Sequence, residues 1–198
     1  MRSRIVIVTG IPGVGKTTVL KALVEKAGKK GLELNVINYA SIMLEVAKEK
    51  DRSIGRDDLR RMPIELQQSL QIEAAEKIEK MVSEAPETIV DTHMAIRTNS
   101  GYWSGLPLNV LKKLHPNLFV LLEAEPNEIV DRRIKDRSRR RDEVLIEKVE
   151  EEIGFSRFLA ASCATLTGAP VKILKNPAGK QVDTAEQLLD AIQKLGGS

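Results

Sequence analysis

The stretch of this chain best equipped for chemistry is Gly10-Ile11-Pro12-Gly13-Val14-Gly15-Lys16-Thr17, followed by Thr18. Gly10, Gly15, Lys16 and Thr17 hold the fixed positions of the phosphate-binding pattern G-x-x-x-x-G-K-[ST]. The residue types suit that task. A polyphosphate needs several N–H donors at close range, and glycines let the backbone curl round it with no Cβ in the way. The start of a following helix adds N–H groups and the positive end of its dipole. Lys16 would reach the β and γ phosphates of a nucleoside triphosphate, and the Thr17 hydroxyl would take Mg2+. The plainer reading is a glycine-rich turn between strand and helix, and the complete pattern in its proper context weighs against it. The loop by itself leaves the fate of the phosphate open.

Other residues extend the candidate site. Asp91 closes the apolar run Thr88-Ile89-Val90. An acid there in a phosphate-loop protein commonly holds Mg2+, directly or through water; the plainer role is to cap whatever follows Thr92. Arg137, Arg139, Arg140 and Arg141 form a basic cluster that repels itself unless it faces solvent or anions. It could be a solvated turn or a nucleic-acid patch. A segment closing over bound nucleotides is preferred, because an arginine at a moving phosphoryl group can be worth about 10³–10⁵ in rate. Arg56, Arg60 and Arg97 could be surface charges paired with neighbours such as Asp57, or together grip the phosphate of a second nucleotide. His93 reads as a packed loop histidine, since a phosphate acceptor is already an anion and needs no base. Tyr102 and Trp103 fit loop packing and base stacking equally well. Met43, Met62 and Met81 read as core filler.

These residues need a scaffold, and the apolar pattern predicts one. Ile5-Val6-Ile7-Val8, Leu32 to Asn38, Thr88 to Val90, Leu118 to Leu122 and Val171 to Leu174 read as five strands. Between them lie helix-period segments. One runs from the phosphate loop to near Gly28, one to about Lys50, one from Pro63 to about Ser83, and one from Pro126 through Ile134. Another runs from Val144 to about Thr167 with a break in register near Gly154. Thr184 with Gln187 reads as the capping box of a last helix. Arg97 to Pro107 reads as a loop. The expected fold is α/β, a five-stranded parallel sheet with helices on both faces, in one domain spanning 1–198. Ligands gather beyond the carboxyl ends of such strands, where Gly10, Tyr39, Asp91, Glu123 and Asn176 fall.

Composition narrows the function classes. A chain of 198 residues with 42% hydrophobic and 30% charged content suits one soluble globular domain. Thirty-one basic against 28 acidic residues give a net charge of +3, too little for a general nucleic-acid coat. Cys163 is the only cysteine, which rules out internal disulfides and cysteine-cluster zinc sites and fits a reducing cytoplasm. The first strand begins by about residue 4, which leaves no room for a signal peptide, and no apolar run nears membrane-spanning length. The expectation is a cytoplasmic protein with no membrane partner.

The chain resembles the archaeal-type adenylate kinases over nearly its whole length. The likeness rests on Val8-Thr9 with the loop to Thr17, Ile37-Asn38-Tyr39, Arg56-Asp57-Asp58-Leu59-Arg60 and Asp91-Thr92-His93. It continues through Ile96-Arg97-Thr98, Ser100-Gly101-Tyr102, Gly105-Leu106-Pro107, Leu121-Leu122-Glu123-Ala124 and the arginine cluster. The resemblance implies ATP and AMP interconverting with two ADP in the presence of Mg2+, and commonly a trimer. It implies an acceptor segment at about 38–85 and a short lid at about 136–143 without zinc cysteines. By resemblance, Arg56 and Arg97 grip the AMP phosphate, in an acceptor site with Tyr39, Arg60, Asp91 and His93. Arg132, Arg139 and Arg141 match arginines that contact the phosphoryl groups. Two departures stand out. Trp103-Ser104 replaces the Leu-Pro that the family often carries, and Arg140 stands where Asn is frequent, beside the added charge of Arg137. The alternatives are a kinase for another monophosphate, a nucleic-acid-binding NTPase and a catalytically silent ATP-dependent switch. The absence of a basic tail, or of aromatics among the arginines, argues against nucleic acid.

Overall fold

A computed structural model describes residues 4–50, 54–55, 58–60, 62–82, 87–98, 101–135 and 145–195, with Arg60 described in its backbone only. Arg56, the cluster Arg137 to Arg141 and the expected lid lie outside the described residues. The first strand, β1 (Arg4–Thr9), leads through the glycine loop into helix α1 (Lys16–Lys29). Then follow β2 (Asn35–Asn38), α2 (Tyr39–Glu49), a single 3-10 turn (Asp58–Arg60) and α3 (Ile64–Val82). Next come β3 (Glu87–Asp91), β4 (Ala95–Thr98), β5 (Gly101–Ser104), α4 (Leu108–Leu114) and β6 (Leu118–Glu123). The chain closes with α5 (Pro126–Lys135), α6 (Ile146–Thr167), β7 (Val171–Lys175) and α7 (Gln181–Lys194).

Five strands form one parallel sheet in the order β2-β3-β1-β6-β7. Both faces are covered, and successive side chains of the central strands enter opposite cores. Ile5, Ile7, Val90, Phe119 and Leu121 join the core under α2, α3 and α4. Val6, Val8, Ile89, Val120 and Leu122 join the core under α1 and α7. Helix α6 serves both layers, with Val149 in the second core and Ala160 and Cys163 in the first. The connection leaving β1 crosses one face and the connection leaving β3 crosses the other. A crevice therefore opens between the carboxyl ends of these neighbouring strands, the point where such sheets bind ligands.

Several local expectations needed correction. The segment from Arg97 to Pro107 is not a plain loop: Ala95 to Ser104 forms an antiparallel hairpin with Ile96 opposite Trp103 and Arg97 opposite Tyr102. Helix α6 runs unbroken through Gly154, whose missing side chain faces open space and so asks for no kink. The Thr184–Gln187 capping box does not form, because α7 begins at Gln181. Thr184 is instead buried one turn inside, with its hydroxyl near the carbonyls of Lys175 and Lys180 and the Asn176 side chain. Strand β2 starts at Asn35 rather than Leu32. Met43 is in the core and Met62 packs against it, but Met81 is 42% exposed.

Candidate active site

The glycine loop takes its shape from both ends. At Gly15 the backbone turns left-handed, with φ of 90°, and α1 starts at the next residue with no side chain capping it. A residue other than glycine would be strained there, and a Cβ would stand 2.6 Å from the Asn176 amide nitrogen. From outside the loop, side chains of α5 and the β7 exit seize consecutive carbonyls. Arg133 Nε donates to the Pro12 carbonyl at 2.8 Å. Arg132 Nη1 donates to Val14 at 3.1 Å and lies 3.5 Å from the Gly13 carbonyl. Asn176 Nδ2 donates to Val14 at 2.8 Å.

Across the crevice, Lys16 Nζ makes an ion pair with Asp91, and both side chains are nearly buried. Asn38 Nδ2 donates to the other Asp91 oxygen at 2.8 Å, while Asn38 Oδ1 accepts from the Ser41 N–H and caps α2. Thr92 N–H bonds the Val8 carbonyl and Met94 N–H bonds the Thr9 hydroxyl, which ties the ends of β1 and β3 together. Thr17 and Asp91 line one cleft of about 440 Å3 with Leu20, Lys21, Val24, Glu25 and Val36. One hydroxyl and one carboxylate are hard oxygen donors of the kind Mg2+ accepts alongside water and phosphate oxygens. No cluster of three His, Cys, Asp or Glu side chains suited to a metal occurs among the described residues.

The remaining expected residues scatter more widely. Arg97 projects from β4 and is exposed, Arg60 ends the 3-10 turn, and half-buried His93 lies between β3 and β4. Tyr39 is buried. Its hydroxyl donates to the Gln71 carbonyl at 2.5 Å, and burial raises its pKa, so it ties α2 to α3 as a neutral phenol. Arg132 is engaged by protein on several sides: besides the loop it meets Glu128 at 2.8 Å and the Asn176 carbonyl at 3.2 Å. Tyr102 stacks on Phe155 of α6 with ring centroids 4.6 Å apart, which settles its side chain as packing.

The sequence assigns no role to Asn38, which it offers only within the Ile37-Asn38-Tyr39 likeness, and gives no sign of Arg133 or of the full part of Asn176. Asn176 reads in the sequence only as a strand end; its burial, at 0% exposure, is the signal of a structural polar group. Glu123, at the end of β6, is also buried and receives both Arg157 nitrogens, at 2.7 and 2.6 Å, with Lys175 at 3.3 Å. Burial alone would raise its carboxyl, but the Arg157 hydrogen bonds and charge, helped by Lys175, win and hold it below the ordinary value. A carboxyl lowered on folding adds stability at neutral pH that is lost as pH falls through the folded value. The Tm advantage of the parent chain over Glu123→Gln should therefore shrink as pH drops below about 4.5, the ordinary glutamate value. Melting curves across that range check this, and a gap independent of pH would refute it.

A buried strand, a glycine cradle, a helix start and an acid on the neighbouring strand end together define a P-loop nucleotide-binding fold. The match to known proteins agrees. The family model described as an AAA domain matches residues 9–150. The chain is 44% identical to the adenylate kinase of Methanocaldococcus jannaschii over 176 residues, covering 89% of this chain and 91% of that one. It is 40% identical to the adenylate kinase of Methanopyrus kandleri, covering 96% and 98%. The shikimate kinase of Bacteroides thetaiotaomicron shares the fold, with a TM-score of 0.60 at 12% identity over 96% of this chain and 98% of that one. The chain belongs to the adenylate kinase family.

Proposed function

We propose that this chain moves the γ-phosphoryl group of ATP to AMP, giving two ADP, and runs the reaction in both directions. The observation that carries the reading is the meeting of Lys16, at the start of α1, with Asp91, at the end of β3. It puts a phosphate-binding cation and a metal-holding acid in one crevice. An AMP phosphate oxygen attacks the γ-phosphorus in line, a new O–P bond forms, and the bond to the β-γ bridging oxygen breaks. Neither partner needs activation by a base, so positioning and charge neutralisation do the catalysis.

The loop N–H groups between Gly10 and Thr18, Pro12 excepted, and Lys16 hold the triphosphate. Thr17 and Asp91 would hold Mg2+, which supplies positive charge shared between the phosphates. Arg56 and Arg97 take the acceptor phosphate, with Arg60, His93 and Tyr39 shaping that side. Arg139 and Arg141 neutralise the moving group, and Arg132 adds its charge from the carbonyl side of the loop. The same family resemblance supports a trimer working in the cytoplasm.

The test is an assay of ADP formation from ATP against a panel of nucleoside monophosphates, followed in both directions. AMP should be the preferred acceptor, and activity should vanish on chelating divalent metal. Arg97→Ala should raise KM for AMP by about tenfold or more while sparing KM for ATP, as loss of one charged phosphate contact predicts. Preference for another monophosphate, or ATP hydrolysis with no acceptor, would overturn the assignment.

A further inference from the structure

We propose that Asn176, together with Arg133, is a positioning residue that sets the phosphate loop in its binding conformation from behind. The inference rests on the reading of residues 10–18 as a triphosphate cradle. In a trans peptide the carbonyl and the N–H of one unit point in opposite directions. Holding a carbonyl outside the loop therefore aims the N–H of the next residue inward. Asn176, the nearer of two donors there with Arg132 Nη1 at 3.1 Å, holds the Val14 carbonyl at 2.8 Å and so turns the Gly15 N–H into the cradle. Arg133 holds the Pro12 carbonyl and so turns the Gly13 N–H the same way. Gly13 and Gly15 both have left-handed φ, 92° and 90°, where the chain has no steric preference of its own to keep either peptide in place.

Asn176 is built for this. It is fully buried, and its amide orientation follows from its neighbours, with Nδ2 at a carbonyl and Oδ1 beside the Thr184 hydroxyl. Its own N–H bonds the Glu123 carbonyl at 2.6 Å, which fixes it to the sheet. Arg133 is equally anchored, since Glu152 of α6 binds its Nη2 at 2.5 Å. Neither side chain has to touch nucleotide. Each acts through a peptide unit that would.

The experiment measures ATP and AMP affinity separately at equilibrium, in the absence of turnover, for Asn176→Leu and Arg133→Lys. Leucine keeps the volume and removes the donor; lysine keeps the charge facing Glu152 and removes Nε. The expected result for Asn176→Leu is ATP binding weakened about tenfold or more, the scale of one lost buried hydrogen bond, with AMP affinity within about twofold of the parent. Arg133→Lys should weaken ATP in the same selective way by several-fold. ATP affinity within about twofold of the parent in a folded Asn176→Leu protein overturns the proposal. So does an equal loss for ATP and AMP, which marks general loosening. If Asn176→Leu shows no cooperative melt, Arg133→Lys decides by the same criteria. A parent chain that binds ATP but makes no ADP from AMP defeats the proposed reaction and leaves the loop brace standing. One that binds no ATP defeats both.

Discussion

Replacing Lys16 with alanine should lower kcat by about 10²-fold or more while the protein still melts cooperatively. The ammonium stands where charge accumulates during transfer, and no other described side chain of the loop carries one. Its loss removes an interaction that strengthens in the transition state, so excess ATP cannot restore the rate. Folding is spared for a local reason. Asp91 loses its cationic partner but keeps the Asn38 amide, and it borders the cleft beside Thr17. Steady-state kinetics at saturating ATP, with a melting curve, make the comparison. Parent-like turnover would remove Lys16 from the mechanism.

The second large effect is on stability. Gly105→Ala should cost more than about 3 kcal/mol, in the class of changes that force backbone apart. A Cβ at Gly105 would fall on the carbonyl oxygen of His93. That oxygen cannot step aside, because Thr92 is tied to Val8 and Met94 to Thr9, while Gly105 N–H is itself bonded to the Met94 carbonyl at 2.8 Å. Relief would come only by moving the end of β3, and with it Asp91. The matched control is Gly154→Ala, in open space on α6, which should stabilise by about 0.5–1 kcal/mol. Urea unfolding of both variants tests the pair, and equal stabilities would refute the crowding argument.

The pattern of apolar residues was enough to find the parallel sheet, because a strand buried on both faces has no polar interruptions. Leu118 to Leu122 shows this plainly. The loop from Gly10 to Thr17 was equally readable, since its demands on residue type are local. The hairpin at Ala95–Ser104 was not: Arg97 and Thr98 are polar, Gly101 and Ser104 suggest a turn, and its packing partner, Phe155 under Tyr102, lies far along the chain on α6. Thr184 misled for a similar reason. A threonine three residues before a glutamine looks like a cap until burial shows its hydroxyl turned inward. Asn176 and Arg133 left no local trace at all, because their partners lie 162 and 121 positions away in the chain.

That long reach has a bearing on biosynthesis. Strand β1 precedes both of its neighbours in the chain yet sits at the middle of the sheet, flanked by strands about eighty and about a hundred and ten positions later. A ribosome-bound chain stopped after α5 would own every residue of the glycine loop but not the β7 exit that steadies it. The loop should therefore take its braced shape late, only when β7 has left the tunnel and docked.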